Sequence, residues 1–157
     1  MNIGIIVHSK TGNTYSVAQK FREELMESGH TVTVEKVIAE SEDQADAQKI
    51  KLTAIPKIDA YNVLIFGAPV RGFSLSPIME AYLTQVSSLK GKKVCCFMTQ
   101  FLPFTWMGGD RALKRMKELC EAKGATICGS SIINWNKSRD KKIEDTVFGF
   151  RQSLTKR

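Results

Sequence analysis

The sequence predicts a doubly wound α/β domain: a five-stranded parallel sheet in the order 2-1-3-4-5, with helices on both faces. Three observations carry this expectation. Short apolar runs alternate with helical stretches from one end of the chain to the other. Several of those runs are near-continuous, as strands buried on both faces require. The 157 residues hold no linker, repeat or low-complexity stretch and have the length of a single domain, 1–157. Strict alternation calls for right-handed crossovers, and five strands so joined place a topological switch point beside the first.

The elements follow in order. Ile3 to Val7 is an apolar first strand. Thr14 to Ser28 is a helix, because Val17, Phe21 and Leu25 recur every four residues and Gly29 follows as a stop. Thr31 to Val37 alternates and is rich in β-branched residues, a second strand. Ser41 to Lys51 is polar and helix-permissive, and a short helix is expected there. Asn62 to Phe66 is a third strand, ended by Gly67. Ser76-Pro77 opens a helix, with Ser as cap and Pro at the first helical position, and Met79, Tyr82, Leu83 and Val86 form its apolar face. Lys93 to Met98 is a fourth strand. Asp110 caps a helix to Lys123 with Leu113, Met116 and Cys120 inward. Ala125 to Ile133 is a fifth strand, and Arg139 to Leu154 a final helix with Ile143, Val147, Phe150 and Leu154 on one face.

Composition narrows the function classes. No apolar run approaches the roughly 20 residues of a membrane span. The opening Met-Asn-Ile-Gly-Ile-Ile-Val lacks a basic segment and reads as a strand rather than a signal peptide, so a cytoplasmic protein is expected. The four cysteines, Cys95, Cys96, Cys120 and Cys128, form no C-x-x-C pair, and neither His8 nor His30 is near them in sequence. They are read as reduced core residues and not as a metal site. Net charge is +7, and the last 21 residues carry seven Lys/Arg against three Asp/Glu. Such charge fits an acidic protein partner, an anionic small molecule or a solvated helix face. Nucleic acid is not expected, since no recognition motif accompanies the scattered basic residues.

In this fold class ligands sit beyond the carboxyl ends of the strands, at the switch point. The loop there is His8-Ser9-Lys10-Thr11-Gly12-Asn13-Thr14, with three hydroxyls, an amide and a glycine just before a helix. The free N–H groups of a helix start favour an anion, and Ser9, Thr11, Thr14 and Asn13 add donors. The chain lacks a P-loop and a G-x-G-x-x-G fingerprint at this place. No Asp or Glu precedes Glu23, which argues against a phospho-acceptor site.

Ser9-Lys10-Thr11-Gly12-Asn13-Thr14 resembles the S/T-x-T-G-x-T loop of flavodoxins, which in that family holds the phosphate of FMN. The resemblance extends over the whole chain and implies a flavodoxin-like fold, non-covalent FMN and redox chemistry carried by the flavin. The stretch Gly67 to Leu75 resembles the second flavin loop of the family, particularly in its quinone-reductase-like members. It implies that Pro69, Val70, Arg71, Gly72 and Phe73 lie at the flavin edge. Reduced flavin tends to carry negative charge around N1, so Arg71 is the candidate for favouring the reduced form. Gly72 is the candidate for a mobile peptide near flavin N5. The third loop, Thr99 to Gly109, departs from the family: it is apolar where simple flavodoxins are polar and acidic. Thr99 and Gln100 are candidates for the flavin pyrimidine edge, and Phe101, Phe104 and Trp106 with Met107 for covering a ring or a flat substrate. The competing reading packs this loop on its own domain. Trp135 after the fifth strand is assigned to packing.

Three functions follow. One is an FMN-binding electron carrier serving a redox partner protein. The second is a reductase taking hydride from NAD(P)H and passing it to a quinone or similar acceptor. The third, from another class, is a cofactor-free binding module on the same fold. The basic charge departs from typical acidic flavodoxins, and would attract NADPH phosphates or an acidic partner.

Overall fold

The computed structural model describes residues 1–155. Five strands form the main parallel sheet: β1 (Asn2–Val7), β2 (Thr31–Lys36), β5 (Val63–Arg71), β7 (Lys93–Gln100) and β8 (Thr126–Asn134). Their order is β2-β1-β5-β7-β8, which is the predicted 2-1-3-4-5. The helices are α1 (Asn13–Glu27), α2 (Pro77–Gln85), α3 (Gly109–Ala122) and α4 (Arg139–Thr155).

The two faces of the sheet build two cores. Ile5, Val7, Val63, Ile65 and Phe97 pack with Phe21 and Leu25 of α1 and Val147 and Phe150 of α4. Ile6, Leu64, Phe66, Val94 and Met98 pack with Tyr82 of α2 and Leu113 and Met116 of α3. Adjacent Cys95 and Cys96 fall on opposite cores, as strand alternation demands. All four cysteines are free; Cys128, expected in the core, is only partly buried.

Three expectations are corrected. The stretch Ser41–Lys51 is not an α-helix. It contains one turn of 3-10 helix, Ala47–Lys49, and it joins two short antiparallel strands, β3 (Ile38–Ala39) and β4 (Leu52–Ala54). It has no apolar stripe to bury, and its own side chains compete for the backbone: Asp46 accepts the Gln48 N–H at 3.0 Å and Ser41 the Asp43 N–H at 3.2 Å. Second, Gly67 does not end the third strand. β5 runs through it to Arg71, since its pairing with β7 continues at Ala68 and Pro69; the glycine is there because the Phe97 ring occupies the space a Cβ would need, 2.1 Å away. The strand then doubles back through Gly72-Phe73 into β6 (Ser74–Leu75), with Arg71 paired to Ser74. Third, Asp110 does not cap α3. Gly108 holds that position with φ 114°, and Asp110 lies in the first turn.

Other boundaries agree closely. Ser76 caps α2, its hydroxyl accepting the Met79 N–H at 3.3 Å. Gly29 follows α1 with φ 90°. Among the described residues, no helix is long and apolar enough to cross a membrane. Of the basic C-terminal residues, Lys156 and Arg157 lie outside the described residues.

Candidate functional site

The carboxyl ends of β1, β5, β7 and β8 converge on a cleft of about 270 Å³. Lys10, Thr11, Asn13 and Thr14 wall one end; Pro69 to Phe73 form a second wall, and Thr99 to Leu102 with Met107 a third. Of the fourteen residues singled out in the sequence, only Ser9 and Gly12 do not line it. They shape it from behind. Ser9 Oγ accepts the N–H groups of Gly12 and Tyr15, each at 3.2 Å, and Gly12 turns the chain into α1 with φ 95°. Gly12, at the cap position, has no side chain to offer, and no acidic residue lies in the first turn of α1. Its positive end is left for an anion.

Thr14 is buried, and its hydroxyl meets that of Thr99 at 2.8 Å, tying the first wall to the third. Gln100 folds back on its own loop: Nε2 donates to the carbonyls of Leu102 at 2.8 Å and Phe104 at 2.6 Å. Its amide nitrogen is therefore committed to the loop, and Oε1 is buried beside Gly109. Gly108 closes the loop against the second wall. A Cβ there would lie 2.6 Å from the Phe73 Cα.

The second wall is a two-residue hairpin turn with positive φ at both Gly72 (57°) and Phe73 (61°). That is the pattern of a type I′ turn, whose twist suits the flanking strands. Glycine adopts it freely; a phenylalanine there is strained. Phe73 is 58% exposed, and Phe101 (71%), Phe104 (56%) and Trp106 (73%) stand out of the third loop. The competing reading, that this loop packs its aromatics on the domain, fails for these three. Phe104 and Trp106 stack on each other, with ring centroids 5.9 Å apart.

Two buried side-chain polar atoms among the described residues lack a hydrogen-bond partner: Arg71 Nη1 and Gln100 Oε1. Both belong to residues of this one cleft. Native interiors seldom leave such groups unmatched. Arg71 Nη1 does have an ionic neighbour, Glu42 Oε2 at 3.6 Å. The same carboxylate oxygen meets His8 Nε2 at 2.9 Å, and His8 Nδ1 lies 2.5 Å from Ser76 Oγ. Burial holds the His8 imidazole below its ordinary pKa, against the opposing pull of Glu42. His8 is then neutral at pH 7. Its Nε2–H donates to Glu42, and the Ser76 hydroxyl donates to Nδ1.

Sequence reasoning missed Leu102 and Trp135 as lining residues, and Glu42 behind the wall, whereas Met107 lines the cleft as expected. Trp135 reaches the cleft because β8 pairing continues one step: its N–H donates to the Gln100 carbonyl at 2.9 Å. It also packs, with the Arg139 guanidinium 4.5 Å above its ring. No local pattern announces Glu42, since its partners are 34 and 29 positions away in the chain.

Solved structures share this architecture. A flavodoxin of Bacillus cereus superposes with a TM-score of 0.69 at 17% identity, covering 98% of this chain and 97% of that one. A flavodoxin of Megasphaera elsdenii does so with 0.69 at 20% identity, covering 96% and 98%. A flavoprotein of Lactobacillus acidophilus, solved in complex with FMN, gives 0.64 at 18% identity over 92% and 97%. Identities this low show the fold alone. No curated protein matches the chain. The family model of the flavodoxin-like fold, however, matches residues 1–144, nearly the whole sheet and its helices. On that match, the chain belongs to the family of the flavodoxin-like fold.

Proposed function

We propose that the cleft binds FMN non-covalently and that the protein carries electrons through it. One observation carries the reading: a helix start with no acidic residue in its first turn opens into the end of an otherwise apolar cleft. An anionic tail and a flat ring are what that combination accommodates. The phosphate would be held by Thr11, Asn13, Thr14 and the first N–H groups of α1. The ring would lie among Pro69 to Phe73, Thr99 to Phe101 and Trp135. The fold's neighbours support the reading, one of them being a complex with FMN. Bound flavin supplies the electron chemistry; the protein contributes binding, orientation and electrostatics. Arg71, 25% exposed at the wall, favours negative charge on the ring.

A second reading, reduction of a small acceptor with NAD(P)H as donor, is favoured by the aromatic third wall. Exposed rings beside a redox centre suit a flat apolar acceptor such as a quinone better than an acidic protein surface. The visible spectrum of the FMN-reconstituted protein, before and after anaerobic NADPH, separates the two. Flavin bands that stay favour the carrier; bands that bleach rapidly favour the reductase. A protein that retains no flavin refutes both.

A further inference from the structure

Behind Arg71 stands a carboxylate outside the cleft. Glu42 comes from the irregular segment between β3 and β4, and it does not line the cleft wall. Its Oε2 is shared between His8 Nε2 at 2.9 Å and Arg71 Nη1 at 3.6 Å. His8 is fully buried and is anchored in turn by Ser76, which sits at the fixed start of α2. The carboxylate is thus oriented from the side away from the cleft, by groups that no cleft ligand reaches. Among the described residues, the further charge acting on His8 is that of Lys10, itself 3.8 Å from Asp43. With His8 neutral, Glu42 and Arg71 cancel, and the wall presents a cation whose field is damped from behind.

We propose that Glu42 is a built-in counter-charge to Arg71, a positioning residue that lowers the preference of the cleft for an anionic ring over a neutral one. This rests on the FMN reading. It makes the two residues opponents: removing Arg71 disfavours the reduced, negatively charged flavin, and removing the Glu42 charge favours it. The chain would in this way hold its flavin at a lower potential than Arg71 alone would set.

The test compares wild type, Glu42→Gln, Glu42→Asp, Arg71→Met and the double variant Arg71→Met/Glu42→Gln. Each is titrated with oxidised FMN and its two-electron potential is measured. Gln keeps an acceptor for His8 and removes only the charge. Expected for Glu42→Gln is unchanged affinity for oxidised FMN and about tenfold stronger relative binding of the reduced form, equivalent to a potential about 30 mV higher. Glu42→Asp returns toward wild type, and Arg71→Met falls below it. In the Arg71→Met background the Glu42→Gln rise shrinks to less than half. An unchanged or lower potential in Glu42→Gln overturns the counter-charge, and a full rise without Arg71 overturns its action through Arg71. The flavin-free protein gives a separate readout. An NMR titration of His8 should move to lower pH in Glu42→Gln, and an unmoved titration overturns the shared carboxylate. Wild-type protein that fails to bind FMN while His8 still responds would refute the flavin reading and leave the network standing.

Discussion

The first and third walls of the cleft are built in opposite ways. The first, Lys10 to Thr14, is polar and is fixed by regular structure: it closes β1, opens α1, and buries Thr14 against Thr99. The third, Phe101 to Met107, has no regular structure. It is held by the two Gln100 hydrogen bonds and by the approach of Gly108 to Phe73, while its rings point to solvent. The first wall hides the Thr14 hydroxyl and the third exposes aromatics. Stability does not ask for the second of these arrangements, since a solvent-facing Trp and Phe forgo the burial that would reward them. The contrast teaches that the first wall is specified by the fold and the third by what the cleft does.

The largest effect should come from the joint between the second and third walls. Gly108→Ala places a methyl 2.6 Å from a backbone atom at φ 114°. We expect a loss of about 3 kcal/mol in urea unfolding, from strain and a clash that backbone must absorb. An equal change at Gly149 in α4, where no atom lies within 4 Å of a new Cβ, should instead leave stability the same or higher.

Next is the joint between the first and third walls. Thr14→Val keeps the shape and strands the Thr99 hydroxyl, costing about 2 kcal/mol. Thr14→Val/Thr99→Val removes both partners, and stability should return most of the way. FMN affinity should not return with it. A double variant that recovers both would mean the two hydroxyls serve packing alone.

These joints mark where the sequence was legible. Strand order, the Ser76 cap and the Ser9 to Thr14 loop follow from local signals: apolar runs, a capping residue, a helix start. The run of β5 past Gly67 does not, because that glycine makes room for a Phe97 ring from a strand 30 residues later instead of ending the strand. Glu42 was illegible for the same reason: a polar stretch without periodicity gives no hint that one carboxylate folds over His8 and Arg71. The type I′ turn at Gly72-Phe73 was hidden because its second residue is the wrong type for it.

That mismatch gives a smaller effect of opposite sign. Phe73→Asn puts a residue that tolerates positive φ where the turn needs one. Stability should rise by about 1 kcal/mol. If Phe73 is strained for the sake of the cleft, FMN binding should weaken while the melting temperature climbs. A gain in both would assign the strain to nothing the cleft requires.

The smallest stability effect is expected at the exposed pair, and it bears most directly on what the third wall is for. Phe104→Ala and Trp106→Ala remove rings that are 56% and 73% exposed, so each should change unfolding free energy by only about 0.5 kcal/mol. Neither lines the cleft, so FMN affinity should hold. What should change is the exit of electrons. Protein reduced in advance with dithionite should pass electrons to a planar, apolar quinone severalfold more slowly in either variant, and to hydrophilic ferricyanide at an unaltered rate. The rings would then act as a landing surface for flat acceptors, which explains why they are kept outside at no benefit to the fold. Equal slowing with both acceptors would trace the effect to the flavin, and no slowing with either would remove the third wall from acceptor contact.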